Sequence, residues 1–232
     1  MLSIIIPTYN EAKNILSTIK NVQKNIPNET EYEFIIVDDD SPDLTWKVVQ
    51  ELNDKRVKCI RRKGERGLSS AVVKGFNEAE GDTLLVLDGD GQHDEKIIPE
   101  MLKYSKMYDI VIGSRFVKGG SIKGWQNNRK IQSKIASFLA NLVITQKVYD
   151  PLSGYFIFKK KQYLKIRRKL ECIGYKILLD IIYNSRNISI KEIPFFFKTR
   201  KHGKSKLGLK VSVEYLIMIG KFGFRRIFKK II

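Results

Sequence analysis

Only two cysteines and two histidines occur among the 232 residues of the sequence. Cys59 and Cys172 belong to no CxxC pair, and no pair of histidines stands near either of them. The chain therefore lacks the usual residues of a zinc motif and of a disulfide framework. We expect both thiols to be free, buried and structural, as is common in a reducing compartment.

Long apolar runs and a targeting signal are also missing. No 18-residue window is uninterruptedly apolar, so no transmembrane helix is predicted. The opening residues, MLSIIIPTYNEA, lack the basic start and the long apolar stretch of a secretory signal, and they predict a first β-strand instead. Because no internal repeat or low-complexity linker interrupts the chain, we place no domain boundary before about residue 208.

Acidic residues are scarce relative to basic ones. The 25 Asp and Glu residues against 43 Lys and Arg give a net charge of +18, which predicts a phosphorylated substrate, an anionic membrane or nucleic acid as partner. Nucleic acid is disfavoured because no RRM, KH or zinc-finger signature is present and the aromatic residues lie mostly in apolar segments. The basic runs 159–161 and 167–169 are assigned to solvated faces.

The first half of the chain alternates short apolar runs with amphipathic segments of helical length. Strands are predicted at 2–6, 32–37, 57–60, 83–87 and 109–112, and helices at about 11–25, 44–52, 67–79 and 95–106. This alternation predicts an α/β fold with a mostly parallel central sheet, whose ligands bind beyond the carboxyl ends of the strands. In the second half, helices are predicted near 128–145 and 173–184 and strands near 154–158 and 188–197. Pro194 indicates that the last strand is at an edge or bulged.

Several acidic residues cluster at predicted strand ends, most clearly in the segment LDGDGQH. Asp88 and Asp90 lie on one side of the chain if the strand geometry persists. With Gln92 they offer the hard oxygen ligands that suit Mg²⁺ or Mn²⁺. The alternative is an Asp/Gly turn with Asp94 capping the next helix. The acidic end of the second strand, VDDDSPD, favours the metal–diphosphate interpretation. His93 is not expected to be a ligand.

Eight motifs follow one another along residues 2 to 208. They are IPTYNE (6–11), VDDDSPD (37–43), GLSSAVVKGF (67–76), LDGDGQH (87–93), IGSR (112–115), DPLSGYF (150–156), GYKILLD (174–180) and EIPFFFKTRKHGKSKL (192–207). Together they closely resemble the dolichyl- or polyprenyl-phosphate mannosyltransferases of glycosyltransferase family two. The resemblance implies a GT-A catalytic domain over residues 1–208. It also implies inverting transfer of a sugar, mannose from GDP-mannose, to a polyprenyl or dolichyl monophosphate. A UDP-glucose donor or a glycan acceptor remains the alternative.

The resemblance also assigns roles to individual residues. Those it implies for donor nucleotide-sugar binding are Pro7, Tyr9, Glu11, Val37, Asp39, Asp88, Gly89, Asp90 and Lys206. A Mg²⁺ or Mn²⁺ ion is implied on Asp88, Asp90 and Gln92, and acceptor-phosphate contacts are implied for Arg115, Arg129, Ser133 and Arg200. Asp90 and the three arginines are implied to be catalytic. The family pattern is not met everywhere, since glycines occupy positions 89 and 91 and Lys130 replaces the tryptophan of a QxxRW signature.

The C-terminal segment 209–232, LKVSVEYLIMIGKFGFRRIFKKII, predicts a basic amphipathic helix. Its polar stripe comprises Lys210, Glu214, Lys221, Arg225 and Lys229. Such a helix suits the interface of an anionic membrane, with its apolar side chains buried among the lipids. We therefore expect a peripheral protein on the cytoplasmic face of a membrane, held beside a lipid acceptor. The alternative is a helix packed against the domain or against a second copy.

Overall fold

The computed structural model of the protein describes residues 1–185, 187–200 and 209–231. Its strands are β1 Leu2–Thr8, β2 Tyr32–Asp38, β3 Val57–Arg61, β4 Thr83–Val86, β5 Ile110–Ser114, β6 Ser121–Ile122, β7 Phe156–Lys159, β8 Ile190–Pro194 and β9 Phe196–Phe197. Its helices are α1 Ile15–Asn25, α2 Thr45–Gln50, α3 Leu68–Glu78, α4 Ile98–Ser105, α5 Asn127–Val143, α6 Lys160–Ile166, α7 Ile177–Asn184 and α8 Leu209–Ile231. A 3-10 turn, Glu95–Ile97, precedes α4.

Seven strands form the central sheet in the order β3-β2-β1-β4-β7-β5-β8. All neighbouring pairs are parallel except those of β7, which runs antiparallel to both β4 and β5. The prediction of a mostly parallel sheet is thus confirmed. Every residue of β1 is buried, as expected for a central parallel strand covered on both faces. The ends of β1, β2 and β4 consequently meet at one edge of the sheet, where the acidic segments follow.

Two apolar clusters cover the two faces of this sheet. Ile5 and Ile35 point into one cluster, which α3, α7 and α8 complete. Ile4 and Ile36 point into the other, which α1 and α4 complete. This alternation along β1 and β2 follows from the two-residue period of a strand. Burying each such side chain stabilises the fold by roughly 1.5–3 kcal/mol, so the sheet is a rigid platform for the segments beyond its edge.

The second half differs from the sequence-based prediction in its boundaries. Helix α7 begins at Ile177 instead of residue 173, because Cys172 and Gly174 have φ values of 54° and 61°, which a right-handed helix cannot accommodate. The predicted strand at 188–197 is interrupted at Phe195: β8 ends the main sheet, whereas β9 pairs with β6 in a separate two-stranded sheet. Pro194 therefore stands at the end of an edge strand, as predicted.

Lys160, one of the residues assigned to a solvated face, is partly exposed and also has a defined contact. It begins α6, and its ammonium donates a hydrogen bond of 2.5 Å to the carbonyl oxygen of Ala79. Its backbone N–H also donates to Asp82 O. Neither α6 nor β6 was predicted from the sequence. Through these two hydrogen bonds, Lys160 connects the start of α6 to the loop before β4.

Helix α8 packs against the domain through one of its faces. The buried residues of that face are Val211, Tyr215, Met218 and Phe222. The hydroxyl of Tyr215 donates to Ala136 O in α5, and the ring of Phe222 stacks on that of Tyr183 with centroids 3.9 Å apart. Arg226 donates to two carbonyl oxygens at the end of α5, those of Leu142 and Ile144. None of the helices in the described part of the chain has the length and apolar character needed to cross a bilayer.

Candidate active site

A cavity of about 780 Å³ opens beyond the carboxyl ends of β1, β2 and β4. Most of the residues singled out from the sequence line it: Pro7, Tyr9, Glu11, Asp39, Asp88, Gly89, Asp90, Gln92, Arg115, Arg129, Ser133 and Arg200. Val37 does not, because its side chain is fully buried in the core beneath the cavity. Lys206 lies outside the described residues. The cavity therefore brings together residues that are up to about 190 positions apart in the chain, as expected for the edge of a parallel sheet.

Asp88 and Asp90 follow β4 at the floor of the cavity. Burial and, to a smaller extent, the neighbouring charge of Asp90 raise the pKa of Asp88 to about 7, against the opposing charge of Arg200. The turn that places them depends on two glycines. A Cβ on Gly89 would lie 3.1 Å from Thr8 Cγ2, and Gly91 has a φ of 71°, so larger residues would crowd or strain this turn. A cation bound beside these two carboxylates would relieve the repulsion between them.

The third oxygen ligand predicted for this cation is the amide of Gln92. Its Nε2 donates a 2.8 Å hydrogen bond to Lys198 O, which leaves the amide oxygen for another partner. Within the described ranges, no group of three His, Cys, Asp or Glu side chains could hold a metal. Two carboxylates and one amide oxygen nevertheless fit Mg²⁺ or Mn²⁺ when substrate phosphates complete the coordination. These three ligands thus suit the predicted ion in their chemical type, and they leave coordination positions for substrate phosphates.

Arg200 lies in the loop that follows β9. Its guanidinium contacts carboxylates beyond the ends of two other strands, β4 and β1. Its Nη2 lies 2.5 Å from Asp90 Oδ2, and its Nη1 lies 3.6 Å from Glu11 Oε1. Glu11 is buried, and its other oxygen accepts a 2.8 Å hydrogen bond from Asn14. The guanidinium therefore neutralises carboxylates that would otherwise repel one another, and it stands beside the predicted ion-binding oxygens.

Three consecutive aspartates, Asp38 to Asp40, lie at the end of β2, and each has different contacts. Asp38 is fully buried and accepts hydrogen bonds from Thr8 and Ser41, which fixes the turn. Asp40 pairs with Arg61 nearer the surface. Asp39 alone lines the cavity. Asp38 therefore stabilises the turn, whereas Asp39 contributes to the wall of the cavity.

Two arginines of the loop between β3 and α3 support the cavity wall around Asp39. Arg62 is buried and pairs with the Asp39 carboxylate through Nε and Nη2, and Gly67 N–H donates to the other Asp39 oxygen. Burial raises the pKa of Asp39 despite these contacts. Arg66 lies over the ring of Tyr9 at 3.8 Å from its centroid. Neither arginine was distinguished in the sequence, because both stand in a generally basic stretch.

Arg115 and Arg129 line the opposite, basic part of the cavity. Arg115 donates two hydrogen bonds of 2.7 Å to the fully buried carboxylate of Asp150. Burial alone lowers the pKa of Arg115, but Asp150 outweighs it and the pKa is raised. Arg129 lies over the ring of Trp125 at 4.2 Å. Burial lowers the pKa of Arg129, and the charges of Arg115 and Arg200 lower it further. This accumulation of positive charge suits an anionic ligand.

Two further side chains complete the wall. Ser133 lines the cavity one helical turn beyond Arg129. Lys176, the residue before α7, also lines it, although no sequence pattern distinguishes it from the other lysines. His93 is buried and stacks on Tyr155, and its Nδ1 accepts a hydrogen bond from Asp88 N–H. As expected, it is a hydrogen-bonded residue that holds the Asp88 turn.

The family model described as Glycosyl transferase family 2 matches residues 3–167 of the chain. The dolichol-phosphate mannosyltransferase of Pyrococcus furiosus is 42% identical over 219 residues, which are 93% of this chain and 61% of that protein. The proteins of the same name from Mycosarcoma maydis and Saccharomyces cerevisiae are each 34% identical over 92% and 95% of this chain. The chain spans 76% and 88% of those two relatives, and less than two thirds of the first.

Solved structures share the fold at low sequence identity. Glucosyl-3-phosphoglycerate synthase from Mycobacterium tuberculosis, in complex with Mn²⁺, UDP and phosphoglyceric acid, aligns with a TM-score of 0.67 at 16% identity, covering 96% of this chain and 78% of that one. S. aureus TarS in complex with UDP-GlcNAc aligns with a TM-score of 0.65 at 18% identity, covering 95% and 66%. These likenesses establish the architecture of the chain.

Proposed function

The chain belongs to glycosyl transferase family 2, and from that premise we propose that it transfers mannose from GDP-mannose to a polyprenyl or dolichyl monophosphate. The transfer inverts the anomeric centre and depends on Mg²⁺ or Mn²⁺. One observation carries the proposal: a single cavity has a carboxylate-rich floor and a wall of arginines. The floor suits a cation with a nucleoside diphosphate, and the wall suits a second phosphate. The names of the relatives favour this donor sugar and this acceptor over others.

The reaction is a single displacement. An oxygen of the acceptor phosphate attacks the anomeric carbon of the sugar, and the bond from that carbon to the donor β-phosphate oxygen breaks. A phosphate monoester has its second pKa near 6, so the attacking oxygen is already anionic at neutral pH. The nucleoside diphosphate leaves with the bonding electrons, and no protein base has to remove a proton. Attack opposite to the leaving group inverts the configuration.

The chain's own residues therefore have to position two anionic substrates and stabilise their negative charge. Asp88, Asp90 and Gln92 would hold the divalent ion, which when bound acts as a Lewis acid toward the departing diphosphate. Arg115 and Arg129 would bind the acceptor phosphate, as their accumulation on one wall suggests. Tyr9 and Asp39 lie at the other end of the cavity, where the nucleoside would be bound.

The mouth of the cavity supports a membrane-bound acceptor. Helices α5 and α8 both contribute to the cavity wall, and both expose apolar side chains on their outer surfaces. The exposed set, which we term the outer apolar face, comprises Ile131, Ile135, Phe138, Leu142, Val213, Leu216, Ile217 and Phe224. Each is at least half exposed. The basic Lys134, Lys221 and Arg225 are exposed on the same two helices, and the last two pair with Glu171. An apolar surface accompanied by basic side chains suits the interface of an anionic bilayer.

The test is a matrix of sugar donors and lipid acceptors. Purified protein receives labelled GDP-mannose or UDP-glucose with polyprenyl phosphates of several lengths, and labelled product is measured after organic extraction. We expect transfer from GDP-mannose, its loss on chelation of divalent ions, and its recovery with Mg²⁺ or Mn²⁺. Transfer from UDP-glucose alone, or to no lipid phosphate, would refute the proposal.

An Asp90→Asn variant tests the ion site within the same assay. Removing one ionic ligand should lower metal-dependent transfer by about 100-fold, corresponding to the several kcal/mol that a Lewis-acid metal contributes. Asp54→Asn is the matched control, because Asp54 pairs with Arg56 at the protein surface, away from the cavity. Full metal-dependent transfer by Asp90→Asn would show that the ion is bound elsewhere.

A further inference from the structure

Lys176 projects into the cavity from a rigid loop. Lys176 immediately precedes α7, and hydrogen bonds to α3 and α7 hold the loop before it. Ser69 N–H, at the start of α3, donates to Gly174 O at 3.1 Å. Asp180, which is buried in α7, accepts a 2.9 Å hydrogen bond from Cys172 N–H. These contacts fix the position of the backbone from which the Lys176 side chain extends.

The ammonium group of Lys176 has no counterion among the residues that the structure describes. Arg115 is paired with Asp150 and Arg200 with Asp90, whereas neither Lys176 nor Arg129 forms an ion pair with a described carboxylate. Burial lowers the pKa of Lys176 to about 8. That value already includes the charges of Arg115 and Arg129, which lower the pKa, and those of Asp150 and Asp88, which raise it. A partly buried cation among other cations is unfavourable unless a ligand compensates for it.

We infer that Lys176 is a further phosphate-binding residue, which forms with Arg129 a two-cation site for a substrate phosphate group. The inference rests on the proposed function, since that reaction brings two phosphorylated substrates into this cavity. The guanidinium of Arg129 can donate two parallel hydrogen bonds to a phosphate, while the ammonium of Lys176 acts as a point charge. The group bound is either the monophosphate of the acceptor or the diphosphate of the donor.

Two substitutions separate charge from shape. Lys176→Met keeps the length of the side chain and removes its charge, and Lys176→Arg keeps the charge. Binding of farnesyl phosphate and of GDP with Mn²⁺ is measured separately by calorimetry for the full chain. For one of these two ligands, Lys176→Met should lower affinity by about 10- to 100-fold, the effect of a charge-assisted hydrogen bond. Lys176→Arg should stay within a few-fold of the wild type.

The ligand whose affinity falls identifies the phosphate. A loss confined to farnesyl phosphate assigns the site to the acceptor, and a loss confined to GDP assigns it to the donor. Unchanged affinity for both ligands overturns the inference. Lys169→Met, a change of the same kind at an exposed position remote from the cavity, should leave both affinities unaltered.

Unfolding measurements distinguish a binding role from a structural one. Because Lys176 is held among other cations without a partner among the described residues, Lys176→Met should unfold at an equal or higher urea concentration than the wild type. Weaker binding together with a loss of stability would instead indicate a structural lysine and overturn the inference. If the wild type transfers no sugar but Lys176→Met still loses phosphate affinity, the proposed function fails and the phosphate site stands.

Discussion

The carboxylate of Asp150 holds Arg115 through three hydrogen bonds. Arg115 donates from its backbone N–H at 3.0 Å and from Nε and Nη2 at 2.7 Å each. Asp150 is fully buried, and its own N–H donates to Glu192, which fixes the segment before β7. The side chain of Arg115 is therefore oriented by a residue of the DPLSGYF motif to which the sequence alone assigned no task. A charge-assisted, bidentate pair of this kind has strong geometric preferences.

Replacing Asp150 with Asn should destabilise the protein by about 3–5 kcal/mol, because it leaves Arg115 as a buried charge without its counterion. Urea unfolding at pH 7 measures the change. The double variant Asp150→Asn with Arg115→Met should lose less stability than the sum of the two single variants, since the unpaired charge has been removed. Strictly additive losses would show that the two residues contribute independently.

The guanidinium of Arg200 places a positive charge beside the carboxylates of Asp90 and Glu11. A divalent ion bound at the proposed site would compete with Arg200 for the Asp90 carboxylate. We therefore expect Arg200→Gln to bind Mn²⁺ about tenfold more tightly than the wild type in the absence of nucleotide, equivalent to about 1.4 kcal/mol. Electron paramagnetic resonance of free Mn²⁺ measures this affinity directly. Arg56→Gln, a loss of the same charge at the surface, is the control; equal affinity in all three proteins would contradict the competition.

The sheet could be predicted from the sequence because β1, β2 and β4 are short apolar runs with helical patterns between them. The order of the strands in the sheet, by contrast, is visible only in the structure. Asp88 and Asp90 were located because acidic residues at the end of an apolar strand are conspicuous. In the structure, both residues line one cavity.

Other features depend on tertiary contacts that carry no local signal. Arg62 and Lys176 are two among 43 basic residues, and only the folded chain distinguishes the buried arginine from the cavity-lining lysine. The start of α7 was misplaced because left-handed backbone at Cys172 depends on hydrogen bonding to Asp180. The sequence pattern of the C-terminal segment suits either packing or membrane binding. In the structure, α8 packs against the domain with one apolar face and exposes other apolar side chains.

Asp180 should make stability depend on pH. Burial raises its pKa to about 6, from an ordinary value of 3.8. The folded state thus binds this proton more tightly than the unfolded state, so the contribution is fully present below about pH 4 and is lost as the pH rises through 6. Its size is at most about 3 kcal/mol. Comparing urea unfolding from pH 4 to 8 should show Asp180→Asn gaining stability relative to the wild type across this window. Parallel pH profiles would place the carboxyl's pKa near its ordinary value.

The outer apolar face should determine binding to membranes. Phe138 in α5 and Leu216 in α8 are 65% and 57% exposed, so replacing either with Glu should change folding stability by less than about 0.5 kcal/mol. If each side chain enters the lipid interface, each substitution should weaken binding to anionic vesicles by about tenfold or more, since burial of such a side chain is worth about 1.5–3 kcal/mol. Co-sedimentation with vesicles of mixed neutral and anionic lipids measures this. Met107→Glu introduces the same charge at a 61% exposed methionine outside the face; equal losses in all three variants would attribute the effect to charge alone and contradict a specific apolar contact.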